Sequence, residues 1–210
     1  MAAIGIDTGG TFTDFIWLDE AGRLRLHKEP STPADPSQAV LAGLAAAGAT
    51  TAGVIHGSTV ATNALLQRRG ARTALIATEG FADVLAIGRQ NRPDLYALVP
   101  QKPPPLVPAA WRLEARERVA ANGEVLVPLD EAALATVLDQ LADAGVESVA
   151  VCLLFSFLRP EHERRIGALL AERFGPALHV SLSSDILPEY REFERTATTV
   201  INAYVAPLMS

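Results

Sequence analysis

A mixed α/β fold is what this sequence predicts, and three observations predict it. Apolar and polar residues alternate in three short runs at the start, the period of half-buried strands. After them, strand-like and helix-like segments alternate, a pattern that builds helices around a largely parallel sheet. The 210 residues are 49% hydrophobic and 20% charged, the composition of an ordinary globular chain with a buried core. Three strands followed by that alternation imply a sheet with both antiparallel and parallel pairs, flanked by helices.

The opening strands are expected at 2–7, 11–18 and 23–29, with "DEAG" at 19–22 as the second turn. Residues 30–36 form a connector, and Asp35 is placed to cap a helix over 36–47. "GVIHG" reads as a short strand and "STVATNALLQRRG" as a helix with Gly70 in the stop position. "RTALIAT" is the next strand and "EGFADVLAIG" a short helix. The pattern then changes. "RPDLYALVPQKPPPLVP" carries six prolines and forms no regular element beyond extended segments. "WRLEARERV" and "GEVLVPL" alternate around "AANG", which suggests a hairpin. We therefore read 89–128 as an insertion in an α/β body made of 1–88 and 129–189. That body resumes with a helix at 130–144, the strand "SVAVCLLF", a helix at 160–174 and the strand "ALHVSLS". A last helix, over 190–210, carries Tyr190, Phe193, Ala197, Val200, Ile201 and Tyr204 at helical spacing. Such a stripe needs cover, from this domain, from a missing second lobe or from a second copy in a homo-oligomer.

The net charge of -6 argues against a general nucleic-acid or anionic-membrane binder, since both want a basic surface. Cys152 is the single cysteine and lies in an apolar run, so it reads as a buried structural thiol. No basic leader with a long apolar stretch opens the chain, and a cytoplasmic location is expected.

The stretch "GIDTGGTFTDF" asks for more than a turn. A hairpin needs only Gly-Gly or Asp-Gly, whereas Asp, Gly-Gly and three threonines together suit an anion site. Gly9 and Gly10 let the backbone come close to a phosphate and tolerate positive φ. Thr8, Thr11 and Thr13 add hydroxyl donors, and Asp7 can hold Mg²⁺ through water. "HGSTVATN" is a second polar cluster, in which His56, Ser58, Thr59 and Asn63 surround a helix start. Spacing alone favours a simple cap there. Arg89 is able to grip a carboxylate, while Arg92 reads as a solvated arginine. Glu189, at a helix entry, is a further candidate contact. No P-loop, zinc helix, G-x-S-x-G, C-x-x-C or G-x-G-x-x-G motif is present.

"GIDTGGTFTD" is similar to the first phosphate motif of the actin, sugar-kinase and Hsp70 ATPase superfamily. Together with "HGSTVATNALLQRRGARTALIATEGFADVLAIGRQNRP", "AVCLLFSF" and "LPEYREFERTATTVINAYV", it resembles the amino-terminal region of the hydantoinase/oxoprolinase family. Four blocks in order make this resemblance specific. It implies a ribonuclease-H-like lobe, ATP and Mg²⁺ as cofactors, and ATP-driven opening of a small cyclic amide such as 5-oxoproline or a hydantoin. It also implies a second lobe from the rest of the same protein and a hydantoinase B-type partner subunit. On this resemblance His56, Ser58, Thr59 and Asn63 become substrate contacts, beside Arg89 and Glu189, which are candidates by their own chemistry and position. The second phosphate loop and the adenosine pocket are not visible after Ser183, so the chain alone is expected to be inactive. A small-molecule kinase of the same superfamily and a non-catalytic scaffold lobe are the rival readings.

Overall fold

The computed structural model of the chain describes residues 3–32, 35–48, 53–92, 94–99 and 102–209. Ala2, the expected start of the first strand, and Pro93 and Pro100 of the proline run lie outside them. The chain forms two compact units, Met1–Gln67 and Arg68–Ser210. That division does not coincide with the boundaries at 88/89 and 128/129 expected from the proline run.

In the first unit, β1 (Ala3–Thr8), β2 (Phe12–Leu18) and β3 (Leu24–Pro30) form an antiparallel meander. Helix α1 (Pro36–Ala46) follows, with the Asp35 carboxylate accepting from the Ser37 N–H as expected of a cap. β4 (Gly53–Ser58) then lies parallel to β1, giving the sheet order β3-β2-β1-β4, and α2 (Val60–Leu66) ends the unit. Alternation sorts the side chains. Ile4, Ile6 and Phe15 are buried with Val40 and Leu44 of α1 against them, while Ile16, Leu26 and Ile55 stay exposed on the other face.

The second unit holds a separate, wholly parallel sheet of order β10-β9-β5-β6. Its strands are β5 (Thr73–Thr78), β6 (Arg112–Ala115), β9 (Ser148–Cys152) and β10 (His179–Leu182). The expected single mixed sheet is therefore two sheets, one mixed and one parallel. Every residue of β5 and β9 is buried, which requires cover on both faces. One face is covered by α4 (Glu131–Ala144) and α5 (Glu161–Phe174) through Leu134, Leu138, Leu141, Ile166 and Leu170. The other is covered by α7 (Glu192–Val205) through Val200 and Ala203. Short helices α3 (Val84–Ile87) and α6 (Ser183–Ile186) follow β5 and β10. The fully buried Glu163 accepts from the Leu153 N–H at 2.9 Å, the Ser183 hydroxyl at 2.6 Å and the Ser184 N–H at 2.8 Å. It thereby ties together the ends of β9 and β10 with hydrogen bonds to a charged acceptor.

Three further expectations are corrected. The hairpin keeps only its second half: β7 (Arg118–Val119) pairs with β8 (Val125–Val127), while β6 leaves it to lie parallel to β5. Gly70 does not stop α2, which ends by Gln67 with Arg68 in the left-handed region. Glycine is needed at 70 because a Cβ there would sit 2.2 Å from the Tyr204 ring. The face that the terminal helix buries within its own unit is Arg195, Thr196, Thr199, Val200, Ala203 and Tyr204, so only Val200 and Tyr204 of the expected stripe are buried and Ile201 stays exposed. Tyr190 precedes the helix and is exposed.

Candidate functional site

The parallel pairing of β1 with β4 sets Thr8 opposite Ser58 and Asp7 opposite Gly57. The two polar clusters seen in the sequence thus meet at the carboxyl ends of two adjacent parallel strands. The Thr8 hydroxyl lies 2.9 Å from His56 Nε2, and the Thr8 carbonyl accepts from the Thr59 N–H at 3.0 Å and from the Thr59 hydroxyl at 3.3 Å. Asn63 Nδ2 donates to the Thr59 hydroxyl oxygen at 3.1 Å, and the Ser58 hydroxyl accepts from the Val60 N–H at 3.2 Å. Thr59 is the N-cap residue of α2 and makes no side-chain cap bond, and its bonds to the Thr8 carbonyl tie the start of α2 to the Asp7–Thr13 loop.

Within that loop one of the two reasons expected for the glycines, tolerance of positive φ, does not apply. Neither Gly9 nor Gly10 is in the left-handed region. Crowding decides instead: a Cβ on Gly9 would lie 2.9 Å from the Phe12 carbonyl oxygen, and one on Gly10 would lie 3.3 Å from Asn63 Nδ2. The Gly9 N–H donates to the Phe12 carbonyl at 2.9 Å. The N–H groups of Gly10 and Thr11 find no acceptor among the described residues, and Thr11 is exposed. Thr8 and Thr13 are buried, and Thr13 is 3.1 Å from the Ser31 hydroxyl, which itself donates to the Gly9 carbonyl at 2.8 Å. The loop is held from beneath and presents donors outward.

Asp7 also lies opposite Asp14 across β1 and β2, a neighbour that spacing in the sequence does not reveal. Like charges facing each other across a strand pair are unfavourable unless a cation joins them. Lys28 supplies one, 2.9 Å from Asp14, while Gly57 leaves the Asp7 carboxylate uncovered, a Cβ there lying 3.6 Å from Asp7 Oδ1. A cleft of about 520 Å³ opens here, floored by Gly5, Ile16, Leu26 and Ile55 and edged by Asp7 and Lys28. An uncovered carboxylate beside a loop of outward N–H groups fits Mg²⁺ held through water. No group of three or more His, Cys, Asp or Glu able to hold a metal directly occurs among the described residues.

Arg89 and Glu189 belong to the second unit. Arg89 is paired with Glu194 on α7, through Nε and NH2 at 2.8 Å each. The backbone N–H of Glu194 and then Arg89 hold that carboxyl below its usual range. Glu189 is exposed, and its carbonyl accepts from Arg195 at 2.8 Å. Cys152 is buried, 3.1 Å from the Thr196 hydroxyl, and burial pushes its thiol pKa up against the opposing pull of Arg195.

Fold and loop together define an α/β protein with helix-flanked sheets and a glycine–threonine loop at a parallel strand end. Residues 3–174 match the model of the hydantoinase/oxoprolinase N-terminal region, and the chain belongs to that family. It is 38% identical to caprolactamase subunit alpha of Pseudomonas jessenii, over 98% of this chain and 31% of that protein. It is 37% identical to 5-oxoprolinase 1 of Arabidopsis thaliana, over 73% of this chain and 13% of that one. Among solved structures, the ATP-dependent caprolactamase of P. jessenii superposes with a TM-score of 0.84 at 37% identity, over 99% of this chain and 32% of its own. Nucleotide-free acetone carboxylase gives 0.87 at 29% identity, over 98% and 32%. The chain spans about a third of the length of the first of these relatives. No helix among the described residues is long and apolar enough to cross a membrane.

Proposed function

We propose that this chain supplies the phosphate-binding lobe of an ATP-dependent enzyme that opens a cyclic amide of the hydantoin, 5-oxoproline or lactam type. The single observation that carries the reading is the parallel β1–β4 register, which sets the Asp7–Thr13 loop beside the His56–Asn63 cluster. The N–H groups of Gly10 and Thr11 are the donors for phosphate oxygens, and Thr8, Gly9 and Thr13 hold the loop in shape. Asp7 would hold Mg²⁺ through water, with Asp14 and Lys28 setting the charge around it, and the metal would supply neutralisation of the phosphate charge. His56, Ser58, Thr59 and Asn63 face the amide, and Arg89 and Glu189 are candidate substrate contacts of the second unit taken by itself. The γ-phosphoryl group of ATP would pass to the amide oxygen with release of ADP, and water would then attack the activated carbon, expelling phosphate and breaking the ring C–N bond.

Support for a ribonuclease-H-like lobe comes from the antiparallel meander followed, after a helix, by a strand parallel to the first. The remaining two-thirds of the relatives' length would supply the second lobe, and relatives named as alpha, beta and gamma subunits support a B-type partner. One specific observation favours a second reading, an ATP-dependent carboxylase subunit. The chain is 36% identical to the acetophenone carboxylase gamma subunit of Aromatoleum aromaticum over 97% of its length. ATP-dependent phosphate release by the full-length protein with its partner, tested with 5-oxoproline, hydantoin, caprolactam and a ketone plus bicarbonate, decides between them. Stimulation by a ring amide is expected. Stimulation only by the ketone moves the protein to the carboxylases, and failure to bind ATP at all removes the lobe's assignment.

A further inference from the structure

The second unit carries a ligand cleft of its own. Its parallel sheet has the order β10-β9-β5-β6, so the chain leaves β5 for β6 on one side and later returns to lay β9 on the other. The strand order reverses between β5 and β9. In doubly wound sheets the crevice outside the carboxyl ends of the two strands at such a switch point is where ligands bind. A cleft of about 710 Å³ lies at that place, lined by Phe81 and Val84 after β5 and by Leu154, Phe155 and Phe157 after β9. The entry to α7 closes it with Tyr190, Arg191 and Glu192.

Its chemistry is apolar with two cationic edges. Arg118 is anchored by a bond from NH2 to the Glu79 carbonyl at 3.1 Å and stacks 4.9 Å over Phe81. Arg191 lies 5.7 Å over Tyr190. Beneath the cleft the buried Arg195 bonds the carbonyls of Glu189 and Leu153 and lies 5.3 Å from the Phe157 ring, fixing that wall. Phe155 and Arg191 adopt φ of 55° and 80°, a strained region for side chains other than glycine, and both line this one cleft. Two arginines against the one lining carboxylate, Glu192, favour an anion, and the apolar walls call for an apolar body. Two guanidiniums beside a carboxylate suit a single negative charge better than a phosphate dianion.

We propose that the cleft at the β5/β9 switch point binds a small organic monocarboxylate with an apolar body. It is independent of the phosphate loop and stands whether or not that loop binds ATP. The test is calorimetric titration of the 210-residue chain with cyclohexanecarboxylate, cyclohexanecarboxamide and inorganic phosphate. The carboxylate should bind saturably, and the amide and phosphate at least about tenfold more weakly. Arg191→Gly, which suits the positive φ, and Arg118→Gln should each weaken the carboxylate about tenfold and leave the amide unchanged. Phe157→Ala should weaken both ligands. Amide shifts in ¹H–¹⁵N spectra should fall on Phe81, Phe155, Phe157 and Arg191. The proposal is overturned by absence of saturable binding, by equal affinity for acid and amide, by wild-type affinity in both arginine variants, or by shifts confined elsewhere. Thermal melts identify any variant that fails to fold, and the other arginine variant then carries the result.

Discussion

Asp7 and Cys152 show how position decides what a reactive side chain does. Asp7 is the penultimate residue of β1, exposed, opposite Asp14 and beside Gly57, so its carboxylate is open to a hydrated cation. Asp7→Asn in the full-length protein keeps a side chain of the same shape at the strand end but removes the charge. Turnover should fall on the order of 10²-fold with little change in the melting temperature, because the loss is electrostatic. Steady-state kinetics at saturating Mg²⁺ measure this, and near-wild-type kcat would take Asp7 out of the site. Cys152 is the opposite case. Burial beneath α7 raises its pKa, and the thiolate is the reactive form, so the native thiol should resist alkylation at neutral pH. Mass spectrometry after iodoacetamide should find it modified only when the protein is unfolded; rapid native labelling would contradict the packing described.

At the scale of elements, local chemistry was legible and long-range partnership was not. The meander β1–β3 shows in its alternation, and α1 shows in Asp35, placed one residue before its helix, while the cap of α4 by Asp130 emerges only in the structure. The Asp130 carboxylate accepts from the Ala133 N–H at 3.0 Å, so Asp130→Ala should cost about 1 kcal/mol of stability. Urea denaturation checks it, and an unchanged midpoint would mean that the cap contributes nothing. By contrast, "WRLEARERV" alternates equally well in a hairpin or at the edge of a parallel sheet; the pairing of β6 with β5 is fixed by tertiary packing. Asp14 escaped notice for the same reason, since its importance comes from cross-strand register. The switch-point cleft was invisible because paired residues of β5 and β9, such as Thr73 and Ser148, are far apart in the chain and become neighbours only in the sheet. The Asp7–Thr13 loop was legible as a polar cluster because its residues are contiguous.

At the scale of the whole molecule, the chain covers about a third of caprolactamase subunit alpha, and its Asp7–Thr13 loop offers donors from one strand end. Catalysis of phosphoryl transfer depends on binding the transition state more tightly than the ground state, with charge stabilised on both the attacking and leaving sides. Gly10, Thr11 and Asp7 supply groups from the first unit alone. Purified 1–210 should therefore release phosphate from ATP no faster than a buffer control, and 5-oxoproline or hydantoin should not stimulate it. The same assay on a full-length protein with its partner subunit provides the positive control. If 1–210 instead showed steady, substrate-stimulated phosphate release, both phosphate-binding halves of the site would have to reside in these residues, and the two-lobe reading would be wrong. A melt of 1–210 with and without MgATP distinguishes loss of chemistry from loss of binding. An upward shift without turnover is the expected pair of results, since a ligand that binds only the folded state raises its stability by mass action even where it cannot react.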